Sequence, residues 1–259
     1  MRRIRTGPGP EEPAESWRWK DLVLLLVFSL GANSSHPGES TTLPDTGTWF
    51  AAARRAMVEQ QLKARDIADL RVLDVMSRVP RHLFVPPDER AWAYDDHPLP
   101  IGEGQTISQP YIVALMTQLA RPKKEARALD VGTGSGYQAA VLAELADQVY
   151  SIEILCTLAD SARQRLTSLG YKNVEVRCGD GYRGWPEKAP FDVIIVAAAP
   201  DHVPEPLVQQ LAKGGRMVLP VGKSDQELVV VEKDEKGMVR RWNVLPVSFV
   251  PMTGEAQKR

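Results

Sequence analysis

Cysteine is nearly absent, with Cys156 and Cys178 the whole supply in 259 residues. They form no Cys-x-x-Cys pair, so neither a disulfide framework nor a zinc site is expected. Histidine is as thin: His36, His82, His97 and His202 are scattered singly, and without a ligand cluster no metal site is expected. An excess of one charge is missing too. The 32 basic and 33 acidic residues leave a formal net charge of −1, with no basic field to hold a long polyanion, so no nucleic-acid partner is expected. Nor does the chain hold a long hydrophobic run. The apolar stretch Leu22–Leu30 falls short of the roughly 20 residues of a membrane helix, so no stable membrane span is expected. Internal repeats are lacking as well.

Residues 1–48 read as a leader distinct from the rest. Arg2, Arg3, Arg5, Arg18 and Lys20 precede the apolar run, and Gly31, Ala32 and a Ser/Pro/Gly/Thr-rich stretch follow it. A basic flank, a short apolar core and small residues behind it are signal-peptide features. Asp21 against that core and the mixed charge of the first segment are not. Disorder and a signal-like function both remain open for this leader.

Three further parts follow: a helical and substrate-loop element over 49–125, a core over 126–253, and a tail over 254–259. The spacing of Ala53, Met57, Gln60, Gln61, Ala64, Val72 and Val75 predicts a helix across Trp49–Leu73. The polar stretch Gly102–Pro110 reads as a loop. Pro110 suits the first turn of a helix over Tyr111–Ala120, with Ser108 available as its cap. From Ala126 onward strands and helices alternate. Strands are expected at Ala126–Val131, Gln148–Ile152, Val174–Arg177, Phe191–Ala197 and Arg216–Pro220, with helices such as Leu155–Leu169 and Val203–Leu211 between them. Strands of near-continuous Val and Ile belong to a parallel sheet buried on both faces. Glu227–Glu232 and Val239–Val250, joined by the turn Asp234–Gly237, form a C-terminal antiparallel hairpin. The fold class is therefore α/β and Rossmann-like, with a mostly parallel sheet.

The stretch Leu129-Asp-Val-Gly-Thr-Gly-Ser-Gly136 carries the chemistry. A strand ends in glycines at alternate positions and a helix follows at once. Glycine lets the backbone turn sharply and lets a ligand approach the peptide groups, while the helix N-terminus offers free N–H groups. The next strand ends in Glu153, and an acidic residue about 20 positions after a glycine turn is where a ribose diol is gripped. The dinucleotide fingerprint is G-x-G-x-x-G. Here the spacing is G-x-G-x-G, and Tyr137 stands where the third glycine would be. Asp130, directly before the turn, disfavours a pyrophosphate and suits a cofactor bearing a positive sulfonium. Ligands bind beyond the carboxyl ends of such strands, which nominates Asp130, Gly132 and Gly134, then Glu153, then Asp180 and Gly181, then Ala198 within Ala197–Pro200.

Asp130-Val-Gly-Thr-Gly-Ser-Gly136 resembles motif I of the S-adenosylmethionine methyltransferases. The resemblance implies that Rossmann-like fold and S-adenosyl-L-methionine as cofactor. The fourth strand end lacks the Asn/Asp-Pro-Pro-Tyr segment of amino-methylating enzymes. The neutral donors of Gly102–Pro110 suit an anionic acceptor instead. A carboxylate is already a nucleophile at neutral pH and needs no base; it needs alignment.

Pro100-Ile-Gly-Glu-Gly-Gln-Thr-Ile-Ser-Gln-Pro-Tyr111 is similar to the signature loop of the protein-L-isoaspartate (D-aspartate) O-methyltransferases. Val79-Pro-Arg-His-Leu-Phe-Val-Pro86, Gly179-Asp-Gly181, Gly214-Gly-Arg-Met-Val-Leu-Pro-Val-Gly222 and Phe249-Val-Pro-Met-Thr253 agree in collinear order. The similarity spans about residues 53–253, and the leader departs from the family pattern. It implies that Ser108 is the active-site serine, with Thr106 and Ile107 beside it on the acceptor. It further implies that Glu153 contacts the ribose, that Asp180 and Gly181 contact the adenine, and that the substrate-contacting segment falls near Val250–Thr253. The implied reaction methylates the α-carboxylate of L-isoaspartyl and D-aspartyl residues in age-damaged proteins. The ester then cyclises to a succinimide that reopens partly to aspartate, which is protein repair. A monomer is expected, in the cytoplasm where the cofactor is made, with export or membrane association through residues 22–32 as the alternative. Rival readings are a methyltransferase of small molecules or RNA, and a non-enzymatic S-adenosylmethionine sensor.

Overall fold

The computed structural model describes residues 46–258. The leader, with its apolar run Leu22–Leu30, lies outside the described residues. The core is a seven-stranded sheet. In chain order its strands are β3 (Arg127–Val131), β4 (Gln148–Glu153), β5 (Val174–Cys178), β6 (Phe191–Val196), β7 (Leu211–Val221), β8 (Gln226–Lys233) and β9 (Val239–Val247). In space the order is β5-β4-β3-β6-β7-β8-β9. The chain starts at the centre with β3, steps outward to β4 and β5, and returns to β6 on the other side. All pairings from β5 to β7 are parallel, whereas β8 and β9 are added as antiparallel hairpin strands. The reversal between β3 and β6 opens a crevice at their carboxyl ends, where ligands of such sheets bind.

Helices α4 (Tyr137–Ala143), α5 (Cys156–Ser168) and α6 (Glu205–Gln210) cover the sheet. Burial on both faces explains the unbroken Val and Ile of the central strands. Strand β7 starts earlier than the expected Arg216, because Gly214 and Gly215 belong to the strand beside a register shift at Phe191/Val193. Glycine inside a strand marks such irregularities.

The N-terminal element differs from the single helix that periodicity predicts. Helix α1 (Thr46–Met57) runs into a π-helical turn (Val58–Lys63), breaks, and resumes as α2 (Leu70–Arg78). Polar side chains satisfy the backbone at the break. The Asp69 carboxylate accepts the Arg71 N–H at 2.9 Å, and the Gln118 amide oxygen accepts the N–H groups of Ala68 and Asp69 at 2.7 and 2.8 Å. Gln118 belongs to α3 (Pro110–Ala120), so the break is fixed by tertiary contact.

The segment expected as loop before α3 is a small antiparallel hairpin, β1 (Leu99–Gly102) and β2 (Gln105–Ile107). Its turn places Gly102, Glu103 and Gly104 at φ of 90°, 52° and 67°, a left-handed conformation that glycine adopts freely. Pro110 opens α3 as the sequence predicts, but Ser108 is not its cap. Gln109 occupies the cap position without a side-chain cap bond. Its amide nitrogen instead donates to the Asp96 carboxylate at 2.8 Å.

The two cysteines correct another expectation, for Cys156 and Cys178 form a disulfide with Cα atoms 5.0 Å apart. Sequence spacing is silent on this pair, because proximity comes from the sheet. β4 and β5 end side by side, with Glu153 paired to Cys178, and Cys156 opens the helix that follows β4, within disulfide reach of Cys178. Among the described residues, no helix is long and apolar enough to cross a membrane.

Candidate active site

One cavity occupies the crevice at the carboxyl ends of β3 and β6. Its floor is the glycine turn. Gly132 and Gly134 sit at φ of 90° and 50°, and a Cβ at Gly134 would stand 3.2 Å from Ile101, so the β1–β2 hairpin roofs the turn. Gly136 is turned inward. A Cβ there would stand 3.2 Å from Leu166 of α5, which gives Gly136 the helix-packing duty that the dinucleotide fingerprint assigns one residue later. Tyr137, free of that duty, lines the cavity. The fully buried Arg81 backs it, with its guanidinium 5.0 Å from the ring centroid.

Glu153 is 6% exposed and anchors the turn. One carboxylate oxygen accepts the Gly134 N–H at 2.8 Å and the other accepts the Leu155 N–H at 3.1 Å. Each oxygen keeps a second lone pair, the capacity a ribose diol requires. Beside it, Ile154 is an apolar side chain left 37% exposed on the cavity wall. Gly181 forms the wall beyond. A Cβ there would fall 2.4 Å from Val131 Cγ1, so only glycine permits the chain after β5 to lie this close to β3.

The two aspartates are placed differently from the expectation. Asp130 is fully buried behind the turn and is not among the residues lining the cavity. One of its oxygens accepts the Ser151 hydroxyl at 2.7 Å, and Ser151 shares a 2.6 Å hydrogen bond with Thr133. The other oxygen is buried without a partner. Burial pushes this carboxyl up to about 7, opposed by the Ser151 hydrogen bond and reinforced by the Glu153 charge. Asp180 also stands off the lining. One oxygen caps the 3₁₀ turn Gly181–Arg183 through the Tyr182 N–H at 3.0 Å, and the other accepts the Glu255 N–H at 2.8 Å. Asp180 is spent on backbone N–H groups of the tight turn that follows its strand, whereas Asp130 is spent on the buried hydroxyl pair Ser151–Thr133.

The opposite wall is small and hydroxyl-bearing. Thr106, Ile107 and Ser108 face Ala197 and Ala198 across the same cavity, and Val250–Thr253 closes it. That closing segment is held against β6 by two backbone hydrogen bonds. The Ala199 N–H donates to Val250 O and the Met252 N–H donates to Ala199 O, both at 2.8 Å. The structure thus brings Thr106, Ile107, Ser108, Gly132, Gly134, Glu153, Gly181, Ala198 and Thr253 into one space. Sequence reasoning missed Gln138 and Ile154. Gln138 is 8% exposed in the first turn of α4 amid Ala139, Ala140 and Val141. Its amide nitrogen donates to the Thr117 hydroxyl at 3.0 Å. A buried amide directly behind a glycine turn was the available signal.

A doubly wound sheet with its switch point at β3/β6, a glycine turn tied to an acidic strand end, and a small polar acceptor wall define the class of Rossmann-like S-adenosylmethionine-dependent methyltransferases. Comparison with known proteins narrows the class. The sequence model of the family described as protein-L-isoaspartate(D-aspartate) O-methyltransferase matches residues 52–257, and the chain belongs to that family. It is 53% identical over 248 residues to a Synechococcus protein-L-isoaspartate O-methyltransferase, covering 93% of this chain and 98% of the relative. A Polaromonas protein-L-isoaspartate O-methyltransferase 2 is 60% identical over 189 residues, covering 72% of this chain and 90% of the relative. Among solved structures, a protein-L-isoaspartate O-methyltransferase superimposes with TM-score 0.71 at 29% identity, over 78% of this chain and 67% of that one. A Plasmodium falciparum structure, described as a protein-L-isoaspartate O-methyltransferase in complex with S-adenosyl-L-homocysteine, gives TM-score 0.68 at 26% identity, over 77% of this chain and 98% of that one.

Proposed function

We propose that the turn Gly132–Ser135 with Glu153, Ile154 and Gly181 holds the cofactor, and that Thr106, Ile107 and Ser108 hold the acceptor. The chain is a protein-L-isoaspartate O-methyltransferase that uses S-adenosyl-L-methionine and initiates repair of isoaspartyl residues. The observation that carries the residue assignment is the continuity of a single cavity from Glu153 to Ser108. Donor and acceptor sides share one space, as an in-line displacement requires.

The donor wall fits the group it would hold. Glu153 offers acceptor lone pairs to ribose hydroxyls, Ile154 offers an apolar face to the adenine ring, and the glycines leave peptide groups uncovered. When bound, the cofactor supplies an electrophilic methyl group on a sulfonium. The chain's own task is then alignment and exclusion of water. An isoaspartyl carboxylate is ionised at neutral pH, so Ser108 moves no proton; its hydroxyl and that of Thr106 donate to the carboxylate and fix its orientation. Ala197 and Ala198 leave room for the reacting groups, and Val250–Thr253 covers the acceptor side. Asp130 and Asp180 act one step removed, by holding the turns that bear Gly132 and Gly181. We place the enzyme in the cytoplasm as a monomer, without a nucleic-acid partner, because its cofactor is made there and its net charge of −1 offers no polyanion field.

The test is methyl transfer to an isoaspartyl peptide beside its aspartyl twin. Label should enter the isoaspartyl peptide as a base-labile ester that releases methanol. Equal labelling of the twin, or base-stable label, would overturn the reading.

A further inference from the structure

The disulfide stands at the cavity wall. Glu153 and Cys178 are the last paired residues of the β4–β5 ladder. Beyond that pair both strands turn away, one as Ile154–Leu155 and the other as Gly179–Gly181. Ile154, Leu155 and Gly181 all line the cavity. Cys156 is the first residue of α5 and Cys178 the last of β5, so the S–S bond bridges the two stretches where the ladder has stopped. Beyond the ladder itself the Gly179 N–H donates to Glu153 O at 2.8 Å and the Cys178 sulfur lies 3.9 Å from Ile154 O, while further along α5 the Arg163 guanidinium donates to Val176 O at 2.9 and 3.2 Å. Local opening is cheapest where backbone hydrogen bonds are few. Cys156 is exposed and Cys178 partly so, within reach of a dithiol in solution.

We propose that Cys156 and Cys178 are positioning residues for the cofactor, a reversible staple whose closed form binds the nucleoside end more tightly than its open form. The proposal rests on the reading of this cavity as the cofactor site. Opening is an ordinary thiol–disulfide exchange. A thiolate of an external dithiol attacks one sulfur, the Cys156–Cys178 bond breaks, and a mixed disulfide forms. The reagent's second thiol then displaces the remaining cysteine. Each cysteine gains one electron and one proton, and the dithiol leaves oxidised as its cyclic disulfide. With the staple open, the two stretches must be ordered by the ligand. Ordering even one residue's backbone weakens binding by roughly ten-fold.

The experiment titrates S-adenosyl-L-homocysteine calorimetrically into the full chain, oxidised and after dithiothreitol, with thiols counted on the denatured protein. Zero thiols and tight binding in the oxidised form, two thiols and a Kd roughly ten-fold higher in the reduced form, are expected. The double variant Cys156→Ser/Cys178→Ser should bind like the reduced protein with or without dithiothreitol. In turnover, KM for S-adenosyl-L-methionine should rise on reduction by more than kcat falls or KM for the peptide changes. A drop in Tm with unchanged Kd would reduce the disulfide to a general brace and overturn the proposal, as would two free thiols after full oxidation. Loss of all binding in both redox states would instead overturn the cofactor reading beneath it.

Discussion

Glu153 accepts a backbone N–H on each carboxylate oxygen, and this double use sets what its replacement does. Glu153→Gln loses a charged acceptor and turns an NH₂ donor toward one of those N–H groups. A charge-assisted hydrogen bond is typically worth about 1.5–3 kcal/mol, so the Kd for S-adenosyl-L-homocysteine should rise about ten-fold or more by calorimetry. Ser108 is simpler, because it caps nothing. Ser108→Ala should lower turnover while Tm and cofactor affinity stay nearly constant; a fall of Tm with turnover intact would contradict the acceptor role. Asp130 yields a pH prediction. Its folded carboxyl is raised from an ordinary 3.8 to about 7, so the folded state keeps a proton that the unfolded chain has released. Stability must then fall as pH rises between those two values and level off above the upper one. Asp130→Asn should remove that part of the slope, measured as urea midpoints at pH 5 and pH 8. The strand-end positions of Asp130 and Asp180 were legible in the sequence, but the direction of each carboxylate was not, since it depends on the Ser151 hydroxyl of the neighbouring strand for one and on turn N–H groups for the other.

At the scale of elements, the βαβ succession was readable because long Val/Ile strands and glycine turns report local physics. The β1–β2 hairpin was not. Its strands are too short for an alternating pattern, and what creates it is a turn with three residues of positive φ together with the Asp96–Gln109 contact. The break between α1 and α2 was hidden for the same reason, as its decisive partner, Gln118, lies far along the chain. Close approach of elements gives a further prediction. Gly181→Ala places a methyl group 2.4 Å from Val131 and must push the segment after β5 off β3. Overpacking of this kind typically costs about 1–3 kcal/mol. Calorimetry should show cofactor affinity falling together with Tm, whereas Gly170→Ala, where a Cβ meets nothing within 4 Å but φ is 85°, should lower Tm and leave affinity unchanged.

Over the whole molecule, two features point to different compartments. A lasting disulfide belongs to an oxidising environment, and the cofactor is a cytoplasmic metabolite. On the staple proposal, a reducing compartment would hold the open, weaker-binding form and an oxidising one the closed, tighter form. Fractionation with intact-mass measurement of the native protein should find the enzyme in the cytoplasmic fraction; a mature form beginning near Ala32 or Asn33 in an exported fraction would reverse that assignment. The disulfide was illegible in the sequence because a 22-residue separation carries no spacing signal until the sheet sets β4 beside β5.

The wall made by Val250–Thr253 has a temporal side. The glycine turn, Glu153, Gly181 and Ser108 are all synthesised well before this segment, and domains fold as the chain emerges from the ribosome. Yet the acceptor side stays open until Val250 and Met252 bond to Ala199. A chain made only as far as β9 therefore holds the glycine turn, Glu153 and Ser108 but lacks the wall that covers its acceptor side.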